Sequence, residues 1–304
     1  MSPLNDVVPP LASKTTDIAA ELLSKLNCGL GFLPEFGSRR QDEEEAIRYL
    51  IEEIKEETDT PPLLKAARIS NARKILKAYL NQNAIIELAI EQLSKSNHAE
   101  LVDDDWLSRF MDAAQHVSSK EVQLIWAALL ARECNSPGTI PKTLLHTLSF
   151  IPPSLAKKFE EICSCNINPH NPEVIIDYKN PQARFHFGFD DLKELERHGL
   201  IFFGDAFPFS ERTAKLLICK DNNDGYVAEP LKAAEKNINI GYVLLTEDGK
   251  QLCSILSIRT PDFFDAYIQE FAKHNDLKLT EIRIKHMQDD GHITYEKINP
   301  VREE

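Results

Sequence analysis

The sequence predicts an α+β protein that is mainly α-helical, and three observations support this fold class. Apolar residues recur at helical spacing over most of residues 16–165. Beyond residue 165, short strand-like runs alternate with helical patterns. Near the C-terminus, two segments of alternating apolar and polar residues flank a Gly-containing turn. We therefore expect a flexible N-terminus (1–15), a helical domain (16–165), an α+β domain (166–260) and a C-terminal helix and hairpin (261–304).

Composition and charge narrow the classes of function. The formal net charge of −13 over 304 residues disfavours non-specific binding to nucleic acid or to an anionic membrane, because both require a positive field. No apolar run is long enough to span a bilayer. The six cysteines include no Cys-x-x-Cys pair, and the N-terminus does not match a signal peptide. We expect a cytoplasmic protein with reduced thiols, no cofactor and no membrane association.

The first half of the chain is predicted to consist of consecutive helices. Pro and Gly residues separate most of them, and the segment CGLGFLPEFG is expected to break the first helix. The expected helices are Thr16–Leu26, Ser38–Glu57, Leu63–Asn81, Asn83–Ser94, one from Asp103 or Asp104, one from Ser118, Pro141–Phe150 and Ser154–Cys163.

The second and third of these helices have opposite charge. The helix Ser38–Glu57 has a strongly acidic outer face, whereas Leu63–Asn81 carries only basic charges on its outer face. The two helices are therefore expected to pair along their flanks, although exposed ion pairs contribute little stability. The apolar residues at helical spacing are core candidates: Ala46, Ile47, Leu50, Ile51 and Ile54, then Leu64, Ala67, Ile75, Leu76 and Tyr79.

Both tryptophans of the chain fall in two consecutive helices. Asp103 or Asp104 is expected to cap the first helix, and Ser118 with Glu121 forms a candidate capping box for the second. Trp106 and Trp126 lie on the apolar stripes of these helices. We expect two antiparallel helices joined by aromatic anchors, with both indole rings in the core.

The second half of the chain is predicted to mix helices and strands. We expect a short strand at Val174–Ile176, a helix that ends at Gly199 before a strand, and a turn at Asp221–Gly225. Thr246 is expected to cap a further helix. A helix from Pro261 to about Asn275 then precedes the two alternating strands of the hairpin.

The sequence contains few catalytic patterns. It has no Gly-rich phosphate loop, no Gly-x-Ser-x-Gly motif and no His-Glu-x-x-His motif. Arg132 and Glu133 form the most interesting polar pair, because they precede the turn that contains Gly138. They are candidates for binding a ligand, but we favour a role in closing the helix end and holding the loop.

Glu173, Asp177 and Lys179 form a weak catalytic candidate. An acid followed by an Asp-x-Lys triplet on a strand is similar to the pattern of metal-dependent nucleases. Such triplets are also common by chance, so a metal-dependent nuclease is kept as an alternative function.

Residues spread over about Leu63–Glu161 form a pattern that extends beyond the tryptophan helices. They are Arg68, Asn71, Ala72, Ile75, Val102, Asp104, Asp105, Trp106, Arg109, Phe110, Ala114, Val117, Ser118, Gln123, Trp126, Ala127, Leu129, Leu130, Ala131, Glu133, Pro137, Gly138, Thr143 and Leu144. These fragments resemble an uncharacterised bacterial family, the domain-of-unknown-function family 2806. The resemblance implies no chemistry, but the family's resemblance to abortive-infection and mobile-element-linked proteins suggests phage defence.

A second resemblance, to winged-helix domains, comes from two half-motifs. They are Leu192-Leu195-Gly199-Leu200-Ile201 and Leu245-Thr246-Gly249-Leu252, and the residues between them exceed an ordinary wing. The helix Asp190–His198 carries more acids than bases, which would repel phosphate. We therefore favour a structural or protein-binding winged helix over a DNA reader, with Arg212, Lys215 and Lys220 as the remaining candidates for DNA contact.

These observations favour a non-enzymatic interaction or sensor module of a bacterial cytoplasmic system, with a protein partner or self-association. A metal-dependent nuclease and a winged-helix DNA-binding regulator are the alternatives. The candidate binding residues are Trp106, Trp126, Arg132, Glu133, Gly138, Arg212 and Lys215.

Overall fold

The computed structural model describes residues 13–32, 40–168, 171–177, 179–232, 234–256, 259–287 and 293–298. The expectation of a mainly helical α+β fold is confirmed. Over the described ranges the helices are α1 (Ser13–Leu30), α2 (Arg40–Glu56), α3 (Pro62–Ile90), α4 (Asp104–Ala114), α5 (Lys120–Asn135), α6 (Lys142–Phe150), α7 (Pro153–Cys163), α8 (Phe189–Arg197), α9 (Glu247–Ile255) and α10 (Phe264–His274). The strands there are β1 (Ile201–Phe203), β2 (Phe209–Thr213), β3 (Leu216–Cys219), β4 (Asp224–Pro230), β5 (Lys236–Gly241), β6 (Val243–Leu245), β7 (Leu277–Met287) and β8 (Ile293–Lys297).

The chain forms two compact units that divide between His146 and Thr147. This division lies earlier than the predicted boundary after residue 165. The difference arises because α7 packs against α8, where Lys158 forms an ion pair with Asp191. The predicted flexible N-terminus and the predicted hairpin turn at 288–291 fall largely or wholly outside the described residues.

Helix α3 is the central element of the first unit and packs against α1, α2, α4 and α5. The prediction of two helices divided at Gln82 is wrong, because α3 continues without interruption through that position. No Gly or Pro follows its first residue to break it. The side chains of Asn81 and Gln82 donate hydrogen bonds to the carbonyls of Gln115 and Met111 at the end of α4, so these polar residues join α3 to α4.

The end of the first helix also differs from the prediction. The helix continues through Gly29 to Leu30, and Gly31 then adopts a left-handed conformation with φ of +64°. A single internal Gly costs a helix only about 1 kcal/mol, so Gly29 does not end it. The residue that ends α1 is Gly31, which closes the helix through a hydrogen bond from its N–H to the Asn27 carbonyl.

The two tryptophans are buried, as predicted. The Trp106 ring stacks on Phe110 at a centroid distance of 5.2 Å, and Phe110 contacts Trp126 at 5.3 Å. Aromatic side chains therefore do connect α4 to α5. The main packing partner of α5, however, is α3 rather than α4, because Ile85, Ile86 and their neighbours complete the core on that side.

The caps of α4 and α5 confirm one prediction and correct another. The Asp103 carboxylate accepts the Trp106 N–H at 2.9 Å, as expected for the cap of α4. The capping box of Ser118 and Glu121 is wrong, because the helix begins one residue later and Ser119 is the N-cap. The Ser119 hydroxyl lies 3.3 Å from the Glu121 carboxylate and makes no cap hydrogen bond to the backbone.

The second unit is built on antiparallel strand pairs. A four-stranded sheet has the order β3-β4-β7-β8, and β4 pairs with β7 from Asp224 opposite Arg283 to Pro230 opposite Leu277. The C-terminal hairpin is confirmed, and it completes this sheet rather than standing apart from the residues before 261. The turn at Asp221–Gly225 is also confirmed, since the Asp221 carboxylate accepts the N–H groups of Asn223 and Asp224.

A helix–strand–strand–helix arrangement lies beside this sheet. Strand β1 follows α8, pairs antiparallel with β6, and β6 leads directly into α9. Gly199 turns the chain out of α8 with φ of +74°, and Thr246 caps α9 by accepting the Gly249 N–H, both as predicted. Strands β2 to β5 are inserted between β1 and β6. The winged-helix interpretation stays a prediction.

The predicted strand at Val174–Ile176 is wrong in its extent. Val174 and Ile176 form only isolated bridges, to Asn166 and to Gly241. The segment makes few ladder bonds because Tyr267 of α10 binds its backbone instead: the Tyr267 hydroxyl donates to the Ile175 carbonyl and accepts the Asp177 N–H.

The backbone of Gly241 lies very close to the backbone of Ile176, so a substitution at Gly241 tests the fold. A Cβ atom at Gly241 would lie 2.2 Å from the Ile176 carbonyl oxygen, and the φ of +102° disfavours any L side chain. We expect Gly241→Ala to lower the free energy of unfolding by about 2 kcal/mol or more, measured by urea denaturation and circular dichroism. Gly29→Ala is the control, because its Cβ would meet open space in a helix. Equal stability of the two variants would contradict the bridge at Gly241.

Candidate functional sites

Glu133 forms a buried latch at the end of α5. Its side chain is only 2% exposed, and its two carboxylate oxygens accept the N–H of Gly138 at 2.6 Å and the N–H of Ile140 at 2.9 Å. The carbonyl of Ile140 accepts the indole N–H of Trp106 at 2.9 Å. The peptide groups of this loop are thus held from both sides, which confirms the loop-holding role expected of Glu133.

The neighbours of Glu133 serve the same loop. Gly138 has φ of +83°, a left-handed conformation that favours glycine, and its N–H is therefore free to point at the carboxylate. The Arg132 Nε atom is buried and lacks a hydrogen-bond partner within the described part of the chain. The structure gives no account of that nitrogen. Trp106, Trp126 and Glu133 are buried, and Trp106 and Glu133 are hydrogen-bonded to the loop that contains Gly138.

The three acids Asp103, Asp104 and Asp105 serve helix ends and ion pairs. Lys142 binds Asp103 at 2.8 Å and Asp105 at 2.6 Å, and Lys25 lies 3.1 Å from Asp104. Hydrogen bonds from Lys142 lower the pKa of Asp103 and of Asp105, with further help from the Trp106 N–H and from Arg109 respectively. Among the described residues, no group of three or more His, Cys, Asp or Glu side chains is placed to hold a metal ion.

The residues of the nuclease hypothesis have separate neighbours. The Lys179 ammonium donates to the Tyr242 hydroxyl at 3.0 Å and lies over its ring, while the Asp177 carboxylate accepts the Lys179 backbone N–H. Burial, and then the nearby Glu211 carboxylate, raise the pKa of Glu173. The nuclease remains a hypothesis from the sequence alone.

The basic residues considered for DNA contact are also engaged within the second unit. Arg212 pairs with Glu235 at 3.3 Å. Lys215 donates to the Tyr295 hydroxyl at 2.7 Å and lies over that ring. Lys220 pairs with Asp265, which also accepts a hydrogen bond from Tyr226. Arg212 lies on β2, whereas Lys215 and Lys220 directly precede and follow β3, and each of the three cations contacts a different neighbour.

A cavity of about 730 Å³ in the second unit is lined by three thiols. Cys163, Cys219 and Cys253 all reach it, and burial followed by a hydrogen bond to Cys253 raises the pKa of Cys163 well above its usual value. Burial also raises the pKa of Cys219 to about 11. The raised pKa values keep the Cys163 and Cys219 thiols protonated at neutral pH, which makes these two thiols poor nucleophiles.

An apolar groove lies between α2 and the first part of α3. It has a volume of about 690 Å³, and we call it the α2–α3 groove. Of the core candidates predicted on these helices, Ile54 is buried as expected. Ile75 is 61% exposed and Leu64 is 52% exposed, so the assignment of Ile75 and Leu64 to the core is wrong. The lining residues are Glu45, Ile47, Tyr49, Leu50, Ile51, Glu53, Ile69, Ala72, Arg73, Ile75, Leu76 and Tyr79.

Among the described residues, α2 and the first part of α3 pack mainly against each other, and this leaves the groove uncovered. The principal packing partner of α2 is α3, and every buried residue of α3 lies from Asn81 onward. At the closed end, Glu57 accepts hydrogen bonds from Arg68 at 2.6 and 2.7 Å and from Thr60, which lower its pKa. Lys65 caps the carbonyls of Lys55 and Glu57. The predicted pairing of an acidic with a basic helix is therefore confirmed.

The fold and these sites define an α+β protein whose helical unit exposes an apolar groove. The family model "Protein of unknown function (DUF2806)" matches residues 67–269, and the chain belongs to this family. No curated protein and no solved structure matches the chain. No helix in the described ranges combines the length and the hydropathy needed to cross a membrane.

Removing the Glu133 latch should destabilise the first unit. Glu133→Ala leaves the buried Ile140 N–H and the partly buried Gly138 N–H without an acceptor, so we expect the free energy of unfolding to fall by about 3 kcal/mol. Urea unfolding followed by tryptophan fluorescence measures this, because both indole rings lie in the affected cluster. Glu121→Ala, at an exposed position of the same helix, is the control and should change little. If Glu133→Ala is as stable as that control, the hydrogen bonds of Glu133 do not stabilise the first unit.

The thiols should differ sharply in reactivity. Cys28 is exposed, whereas the other five cysteines are buried, and burial raises the pKa of Cys134 and of Cys165 to about 12. An aromatic disulfide reagent should react with one thiol of the native protein at least about tenfold faster than with the rest. Cys28→Ser should abolish this fast phase, while the unfolded wild-type chain should show all six thiols. A fast phase that persists in Cys28→Ser would mean that a cavity thiol is accessible.

Proposed function

We propose that the protein is a non-enzymatic interaction module of a bacterial cytoplasmic system and that it binds its partner through the α2–α3 groove. The single observation that carries this proposal is the exposed apolar floor of the groove, where Tyr49 is 72% exposed and Ile75 is 61% exposed. A contiguous apolar surface with a charged rim is typical of a protein-binding site.

The shape of the groove supports a helical partner. Two helices that pack side by side leave between them a channel that accepts the side chains of a third helix or of a helix pair. The floor consists of Ile, Leu and Tyr side chains, whereas Glu45, Glu53 and Arg73 stand at its edges. A partner that buries apolar side chains here gains stability from the hydrophobic effect, and the rim charges then fix its orientation.

The cellular setting of the module is the second part of the proposal. All six cysteines are free thiols, as is usual for proteins of the reducing cytoplasm. The family's resemblance to abortive-infection and mobile-element-linked proteins suggests a role in phage defence. In that role the module would assemble with, or respond to, another protein component rather than carry out a reaction itself.

A charged residue on the groove floor tests this proposal. We expect Ile75→Asp to abolish capture of a stoichiometric partner from the native cells by the tagged protein, after nuclease treatment, because the floor would no longer bury apolar side chains. Leu124→Asp is the matched control, since Leu124 is 51% exposed on a different helix. Both variants should retain the helical circular dichroism of the wild type. A partner that Ile75→Asp retains as well as Leu124→Asp does would contradict binding through the groove.

A further inference from the structure

The two walls of the α2–α3 groove carry opposite charges. In α2, acidic residues outnumber basic residues by seven to three, and the exposed Glu45 and Glu53 line the groove. Between Pro62 and Ala78, α3 contains five basic residues and no acidic residue, and Arg73 lines the groove. The groove is therefore an apolar channel with one acidic wall and one basic wall.

This arrangement restricts what can occupy the groove. A partner of uniform charge would be attracted by one wall and repelled by the other. A fitting partner needs an apolar stripe with basic charge on one side and acidic charge on the other, in the order that complements the groove. The α2–α3 pair of another molecule offers this combination.

We infer that the occupant of the groove is a second copy of this chain, so that the two α2–α3 pairs form an antiparallel four-helix bundle. This inference rests on the proposed function, because it names the partner of the same groove. The second copy supplies the layer that covers the apolar faces of α2 and α3.

The symmetry of the bundle follows from the charges. The Glu57–Arg68 contact joins the end of α2 to the start of α3, and Glu45 and Tyr79 line the other end of the groove. The helices α2 and α3 are therefore antiparallel. A twofold axis parallel to the helices places α2 of one copy over α3 of the other. Acidic and basic walls then meet at both of the equivalent contacts. A twofold axis across the helices would instead place α2 over α2, where the acidic residues repel each other.

The directions of the four helices and the sizes of their apolar side chains agree with this arrangement. Each helix then has antiparallel neighbours within its own pair and in the facing layer, as in an antiparallel bundle with short connections. The bundle core then consists of the exposed Tyr49 and Ile75 and of the half-buried Leu50, Ile51, Ile69 and Ala72. The mixture of large and small side chains suits interdigitation between the two layers.

Charge reversal on one wall at a time tests this inference. The first variant is Glu45→Lys with Glu53→Lys, and the second is Arg73→Glu with Lys77→Glu. Light scattering coupled to size exclusion should show the wild type at twice 34.5 kDa. Each variant alone should be monomeric, with its dissociation constant raised at least about tenfold, because like charges then meet at both contacts. An equimolar mixture of the two variants should recover the dimer, because opposite charges meet again at both contacts.

The controls keep the inference falsifiable. Lys95→Glu with Lys120→Glu, at exposed positions outside the groove, should leave the dimer intact. If a charge-reversed variant loses its helical circular dichroism, Ile75→Asp replaces it and should still be monomeric. A wild type that is monomeric at all concentrations, or variants that do not recover the dimer when mixed, would overturn the inference. If the wild type is monomeric but Ile75→Asp still abolishes capture of a different protein, the proposed function stands and only the identity of the occupant is wrong.

Discussion

The buried carboxylate of Glu133 is the contact on which the organisation of the first unit depends. It accepts two backbone N–H groups from the loop after α5, and that loop presents the Ile140 carbonyl to the indole of Trp106. Through Trp106 and Phe110 the same contact orients α4, and through Phe110 it reaches Trp126 on α5. A charged group of this kind is tolerated in a core only when its oxygens are occupied. The requirement explains why the loop needs glycine at position 138, where a left-handed backbone brings the N–H to the carboxylate.

Helix α3 divides the first unit into two environments. Its C-terminal part lies in the core against α1, α4 and α5, whereas its N-terminal part has α2 as its principal neighbour. The unit therefore combines a closed structural region, where most polar groups are satisfied internally, with an open region where apolar side chains face solvent. This contrast separates the residues that hold the fold from those that suit binding, and it places the proposed activity on α2 and α3 rather than around the tryptophans.

The sequence predicted the elements of the fold better than it predicted which surface is exposed. Helix periodicity located the tryptophan helices, and local cap chemistry located the starts at Asp103 and Thr246, because these signals depend on residues close in the chain. The continuity of α3 was missed, because Asn81 and Gln82 donate their side-chain hydrogen bonds to carbonyls at the end of α4, which is distant in the sequence. The groove was missed for a related reason. An apolar stripe at helical spacing shows which face of a helix is apolar, but it does not show whether another element packs on that face. Ile75 follows the same periodicity as a core residue, yet it is exposed.

The continuity of α3 has a consequence for the dynamics of the molecule. One helix runs without a break from a well-packed core to a sparsely covered end, so the free energy of local opening should fall along its length, and its amide hydrogens should exchange fastest near Pro62. Any molecule that covers the groove would slow exchange at that end and extend the rigid part of the helix.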